Sequence, residues 1–377
     1  MTSELSKIDY KSIKLGLAIK NITMCLITPS FENAIDSLVA LLEQKETNCA
    51  VLIDSIEVYR LNDKISKAVT TSLIEAVRQL YAKRKQFRVI AKASFPSEIY
   101  PFLSSLNQEK IEGKNLFILW RYKDLICLVA KRHYSKFNDG CTEEECQFLD
   151  NFKVAQSYIY EYLPSKVPTG QDLMFDTMAY IIRHTQKKPR QLILIFNIIH
   201  TIAEDKGIIL PKIPPELISQ GVHARLDILI KGTLDIFEQI YPNAERLIRR
   251  ILNLAENRFK ANNLDILIKE SASLRAESNL TIEEVKRLLL ESGSIGVIAG
   301  KHSIKETDIN LYECLFEYQV KGILTISNRT WLVVHPMMYQ ELNIKINMKD
   351  FIYPMPIEDE EKSMLLTQGI ILGGIPD

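Results

Sequence analysis

Apolar residues recur every three to four positions over 31–44 (Phe31, Ile35, Leu38, Val39, Leu42) and over 63–83 (Ile65, Val69, Leu73, Val77, Leu80). That spacing puts one stripe of a helix against a core. Around these segments the pattern shortens to runs of strand length. Residues 49–54 and 87–93 read as strands, as do the alternating segments 13–19 and 22–28, and 117–120 reads as a further short one. A helix is expected from Lys123 to Tyr134. Strand and helix alternate, which predicts a parallel sheet with helices on its faces.

From about 145 to 270 the period is helical almost throughout, cut into pieces by Pro164, Pro168, Pro189, Pro211, Pro214, Pro215 and Pro242. This stretch predicts an all-helical domain. Beyond it, Thr281 and Glu284 stand at capping-box spacing before an apolar run, which predicts a helix start. A second helix is expected over 306–320. A β-hairpin is expected from 322–327 and 331–335, turning at Asn328-Arg329. Two helices and a two-stranded wing predict a winged helix. Pro354, Pro356 and the acidic run 358–361 read as an extended tail. The expected divisions are 1–144 (α/β core), 145–276 (helical domain), 277–345 (winged helix) and 346–377 (tail).

Composition changes this picture little. Of the 377 residues, 46% are hydrophobic and 25% charged, as in a globular protein of two or three domains. Lysines and arginines balance the acids, so no global field draws the chain to nucleic acid or an anionic membrane. The six cysteines are scattered and read as reduced thiols of a cytoplasmic protein. No signal sequence and no run long enough to span a membrane stands out.

The chemistry centres on Ala50-Val-Leu-Ile-Asp54, with Glu57 three residues on. A short apolar strand ending in Asp looks like the Walker B strand of a P-loop ATPase, where the Asp helps hold Mg²⁺ and a nearby carboxylate orients water. A strand-end acid that caps a turn is the plainer reading. No G-x-x-x-x-G-K-S/T precedes it, and the glycines 293, 296 and 300 before Lys301 have the wrong spacing. That later stretch reads as a helix end and turn inside the winged helix.

Other strings follow in order. Arg88-Val-Ile-Ala-Lys-Ala-Ser-Phe stands in the place of a sensor-1 strand and its loop. Leu119-Trp-Arg-Tyr-Lys-Asp-Leu125 resembles the Trp-containing segment before a helix. Tyr180-Ile-Ile-Arg-His-Thr-Gln-Lys-Lys-Pro-Arg190 resembles a lid segment, and Phe316-Glu-Tyr with Val334-His-Pro-Met resembles a wing. Together, over about 45–345, the chain resembles the STAND and replication-initiator branches of the AAA+ superfamily, notably bacterial ATPases of antiphage type. The resemblance implies an α/β partial P-loop-type core, a helical lid and a C-terminal winged helix. It implies Asp54 and Glu57 as Walker-B-like carboxylates, with Asp54 on Mg²⁺ only when nucleotide is bound. It also implies Arg190, with Lys188, facing a phosphate at a helix start.

Arg183, His184, Lys187, Lys188 and Arg190 form a basic cluster that reads either as a solvated helix end or as an anion site. For nucleic acid the candidates are Lys301, Lys305 and Arg329. The acidic residues of 306–320 oppose contact through that helix, so any DNA binding is expected to be weak. Tyr312, Phe316, Tyr318 and Trp331 read as core. The expected function is a non-hydrolysing, ATPase-like regulatory or scaffold subunit of a bacterial, antiphage-type assembly, acting with a protein partner or as a homo-oligomer. Alternatives are a winged-helix DNA-binding regulator, or a split ATPase whose P-loop comes from another chain, with ATP and Mg²⁺ in a shared site.

Overall fold

The computed structural model describes residues 29–54, 64–82, 84–95, 116, 118–138, 142–169, 174–208, 213–238, 240–303, 308–320 and 324–354. The strands expected at 13–19 and 22–28 lie outside them. The chain divides into two units, Met1–Asn115 and Leu116–Asp377.

In the first unit the helical spacing yields α1 (Pro29–Gln44) and α2 (Lys64–Ala82), and a short helix α3 (Arg84–Phe87) follows. The apolar runs yield β1 (Cys49–Ile53) and β2 (Val89–Ala93). The strands pair in parallel, from Cys49 opposite Val89 to Ile53 opposite Ala93. Helix α2 lies between them in sequence and packs on β2, burying Thr70, Ile74 and Ala91. The expected β-α-β order is therefore present. The strand expected at 117–120 is not: the described residues 116 and 118–120 are irregular.

The second unit begins with α4 (Tyr122–Phe137), whose Tyr122, Leu125, Ile126, Val129 and Ala130 form one buried face. It packs on α5 (Phe152–Tyr162), which Asn151 caps by accepting from the Lys153 and Val154 amides. The segment expected to be wholly helical then contains an antiparallel pair, β3 (Lys166–Pro168) and β4 (Met174–Asp176). Asp176 caps α6 (Thr177–Arg183), which is buried from end to end. Next come α7 (Pro189–Asp205), α8 (Pro215–His223), α9 (Leu226–Glu238) and α10 (Ala244–Asn253). Strand β5 (Arg258–Lys260), α11 (Ala261–Glu270), α12 (Ala272–Glu277) and α13 (Ile282–Glu291) follow. The capping box is formed: Glu284 N–H donates to Thr281 Oγ1 (3.2 Å) and Thr281 N–H to Glu284 Oε2 (2.7 Å). Gly293 ends α13 at φ +64, the left-handed turn that glycine adopts without a Cβ penalty.

The remaining strands are β6 (Ile295–Ser303), β7 (Asn310–Leu315), β8 (Trp331–Val334) and β9 (Asp350–Tyr353). With β5 they form one sheet in the order β5-β8-β6-β7-β9, antiparallel except for β7 with β9. This corrects the winged-helix expectation. The residues described within 306–320 hold a strand and a single 3-10 turn, Glu317–Gln319, rather than a helix. Leu311 with Leu315, and Tyr312 with Phe316, are four apart, a spacing that fits a period of two as well as 3.6. All but Leu315 are buried, and neighbouring strands supply the backbone partners.

The turn at Asn328-Arg329 is present, closed by Thr330 N–H on Ser327 O (2.9 Å). However, β8 pairs with β5 and β6, and the described residues 324–327 are irregular. Residues 295–303, expected as a helix end and turn, are strand β6 beyond Gly293. Strand β9 falls inside the expected tail, and all four of its residues are buried. The segments 145–276, 277–345 and 346–354 thus share one sheet, so the expected divisions between them fall inside a single unit.

Candidate functional site

The first candidate lies at the carboxyl ends of β1 and β2. Parallel register carries Ile53 and Ala93 opposite each other, and the next residues, Asp54 and Ser94, follow at the same end. Ser94 N–H donates to Ile53 O (2.8 Å), and Ser94 Oγ donates to Asp54 Oδ1. An exposed carboxylate and a hydroxyl are thus joined where parallel sheets collect ligands. Glu57 lies outside the described residues.

In the second unit, Lys188 is the N-cap of α7, Pro189 opens the helix and Arg190 follows, exposed, in its first turn. The preceding loop is fixed from inside. Gln186 N–H donates to Gln191 Oε1 (2.7 Å), Gln191 Nε2 donates to Thr233 Oγ1 (3.1 Å), and Gln186 Nε2 donates to Ser292 O (2.8 Å). The basic cluster therefore divides. Lys187 and Lys188 are half-buried, while Arg183 and His184 are buried.

Around Arg183 is a polar core that the sequence did not predict. The guanidinium stands 3.9 Å from the centre of the Phe351 ring, a cation–π contact. Tyr180, Tyr339 and Tyr353 interact electrostatically with it. His184 Nδ1 donates to Tyr180 O (2.8 Å), and Tyr180 Oη meets His223 Nε2 (3.1 Å). His335 Nδ1 accepts from Met337 N–H (3.2 Å), which leaves its ring proton on Nε2, 2.9 Å from Tyr318 Oη. Burial, helped by the charge of Arg183, holds His184 well below the ordinary histidine range and His335 down at about 3. These histidines are neutral at pH 7, so Arg183 carries the charge of this core.

A second buried network fastens α13. Arg287 Nε donates to Glu291 Oε1 (2.6 Å), and its Nη2 pairs with Glu317. Tyr241 Oη donates to Glu291 Oε2 (3.0 Å), and Leu324 N–H to Glu317 Oε2 (2.8 Å). Every carboxylate here has a donor, as a structural clamp requires.

The nucleic-acid candidates are dispersed. Lys301 is exposed on β6, Arg329 is exposed at its turn, and Lys305 lies outside the described residues. Trp331, expected in the core, is 39% exposed on β8. Its register partner Lys260 places Nζ 5.4 Å from the indole, and Arg258, paired with Asp350 (2.7 Å), stands 4.5 Å away. Lys301 Nζ is 5.9 Å from the ring of Tyr312. Alternation on a three-residue strand was too short a signal to reveal Arg258 and Lys260.

Among the described residues, no group of three or more His, Cys, Asp or Glu side chains is placed to hold a metal ion. No described helix is long and apolar enough to cross a membrane. Comparison with known protein families, curated proteins and solved structures finds no match to this chain.

Proposed function

We propose that this chain is an ATPase-like regulatory or scaffold subunit that does not turn over ATP by itself. The observation that carries this reading is the Ser94–Asp54 hydrogen bond at adjacent ends of parallel strands. In the resemblance to a P-loop core, Asp54 ends the Walker-B-like strand and Ser94 lies in the segment that takes the place of the sensor-1 strand and its loop. Hydrolysis also needs a phosphate cradle, and the sequence contains no G-x-x-x-x-G-K-S/T. A partner role is supported by apolar surface on the first unit, where Leu52 is 75% exposed and Val51 and Leu41 are exposed as well. The test is phosphate release by the purified chain with Mg²⁺ and ATP. No turnover is expected; turnover that Asp54→Ala abolishes overturns the proposal.

One observation favours a second reading, in which the five-stranded sheet contacts single-stranded nucleic acid. An exposed indole flanked by Lys260 and Arg258 is a stacking surface beside positive charge. Oligonucleotide titration at low salt would quench Trp331 fluorescence, and Trp331→Ala would weaken binding by about 1–3 kcal/mol. Equal affinity of the two proteins would end this reading.

A further inference from the structure

One end of the five-stranded sheet carries an unbroken run of cations and aromatic rings. Lys260 Nζ stands 5.4 Å from the centre of the Trp331 ring. The Arg258 guanidinium stands 4.5 Å from that ring and 5.0 Å from the ring of Tyr312. Lys301 Nζ is in turn 5.9 Å from Tyr312. Register accounts for the grouping, since Lys260 faces Trp331 between β5 and β8, and Lys301 faces Tyr312 between β6 and β7. Arg258 ties the two pairs together. Its Nε donates to Asp350 Oδ2 (2.7 Å), and Asp350 begins β9, at the edge of the sheet opposite to β5.

The cations differ in what they can offer a ligand. Asp350 is buried and matches the charge of Arg258, so that guanidinium is held in place. Lys260 and Lys301 are exposed, and among the described residues neither forms an ion pair. Their flexible stems can carry the ammonium from a ring to a phosphate. The rings differ too. Trp331 is exposed and Tyr312 is buried, so the indole alone has surface for a base to stack on.

We propose that this sheet end takes a single strand of nucleic acid, with one base on Trp331 and two neighbouring phosphates on Lys260 and Lys301, and that Arg258 is a positioning residue. It rests on the nucleic-acid reading of the sheet and adds the size of the site and the division of roles. Arg258, anchored by Asp350, steadies the indole and contacts no phosphate.

The test is fluorescence anisotropy of a labelled oligodeoxythymidine, titrated with the full chain at several salt concentrations. Oligouridine runs as a second arm, and the tighter arm identifies the sugar. Two phosphate contacts give a slope of log K against log salt of about −1.4. Lys260→Ala and Lys301→Ala should each bring it to about −0.7. The charge-neutral double variant Arg258→Gln/Asp350→Asn should keep the slope of wild type and weaken binding about threefold to tenfold, through a looser indole. A slope lowered in the double variant as far as in the lysine variants makes Arg258 a phosphate ligand; this overturns the proposal while the nucleic-acid reading stands. Wild-type affinity in the double variant, or a slope unchanged by either lysine variant, overturns it as well. The lysine variants are surface substitutions and keep the test decisive if the double variant does not fold. Polyglutamate that competes as well as unlabelled oligonucleotide makes this a surface for acidic peptide and also overturns the proposal. No binding by wild type ends both the proposal and the reading it rests on.

Discussion

Arg287 illustrates how a single side chain can join elements distant in sequence. It holds Glu291 on its own helix and Glu317 in the 3-10 turn after β7. Removing one member of such a network leaves buried charge uncompensated, so Arg287→Ala should cost about 3 kcal/mol in denaturant unfolding. A loss below 1 kcal/mol would place the clamp in solvent. The spacing of Arg287 and Glu291, four apart on a helix, was visible in the sequence. Glu317 was not, because the sequence predicts a helix over 306–320, where the fold has a strand and a 3-10 turn.

His335 sets a pH dependence. Burial, then the Arg183 charge, lowers it to about 3 from the ordinary 6.5. Between these values the unfolded chain binds the proton and the folded chain does not. Stability is therefore full above pH 6.5 and is lost as pH falls towards 3. Urea unfolding between pH 6 and 4.5 should be steeper for wild type than for His335→Gln, by about 1.4 kcal/mol per pH unit. Equal slopes would mean that His335 is accessible to protons when folded. Burial pushes Asp176 and Glu291 upward, so their contributions run in the opposite sense with pH. The comparison between variants isolates the histidine.

Elements differ in how locally they are specified. The start of α13 is set by Thr281 and Glu284, and its capping box was legible three residues apart. Thr281→Ala should cost about 1 kcal/mol of stability. Strand β6 is specified by its neighbours instead. A Cβ on Gly296 would stand 2.6 Å from the Leu315 carbonyl oxygen, so β6 and β7 approach too closely there for any other residue. Gly296→Ala should destabilise by about 1–3 kcal/mol, through a shift of backbone rather than of a flexible side chain. If it proves neutral, the two strands are farther apart than described. In the sequence, Gly296 carried no mark distinguishing a close approach from a turn.

At the scale of the molecule, Met1–Asn115 and Leu116–Asp377 differ in what holds them. The second unit has a five-stranded sheet, helices and most of the buried apolar side chains among the described residues. Among the described residues of the first, the sheet has two strands, and such sheets are marginal without further packing. Calorimetry should therefore resolve two transitions. The smaller should vanish when the chain is shortened to residues 116–377, which should still unfold cooperatively. One transition for the full chain, or an unfolded 116–377 fragment, would show that the units depend on each other.

The sequence by itself determined what neighbouring residues can decide. It placed α1, α2 and α4 through apolar spacing, and β1 and β2 through short apolar runs. It placed the start of α13 through a cap, and the turn at 328–329. It also marked Asp54 as a strand-end acid and 183–190 as a basic cluster. Tertiary structure decided everything that depends on a partner distant in the chain. Residues 310–315 satisfy both a helical and a strand period, and only the hydrogen bonds offered by β6 and β9 make them a strand. Strand β8 turned to β5 and β6 rather than to the segment preceding it, which removed the expected wing. Arg183 and Arg190 look alike in the sequence, seven residues apart in one basic stretch. Packing against Phe351 buried the first, and the start of α7 left the second in solvent. Charge is written in the sequence, but the dielectric around it is set by whatever the fold brings alongside.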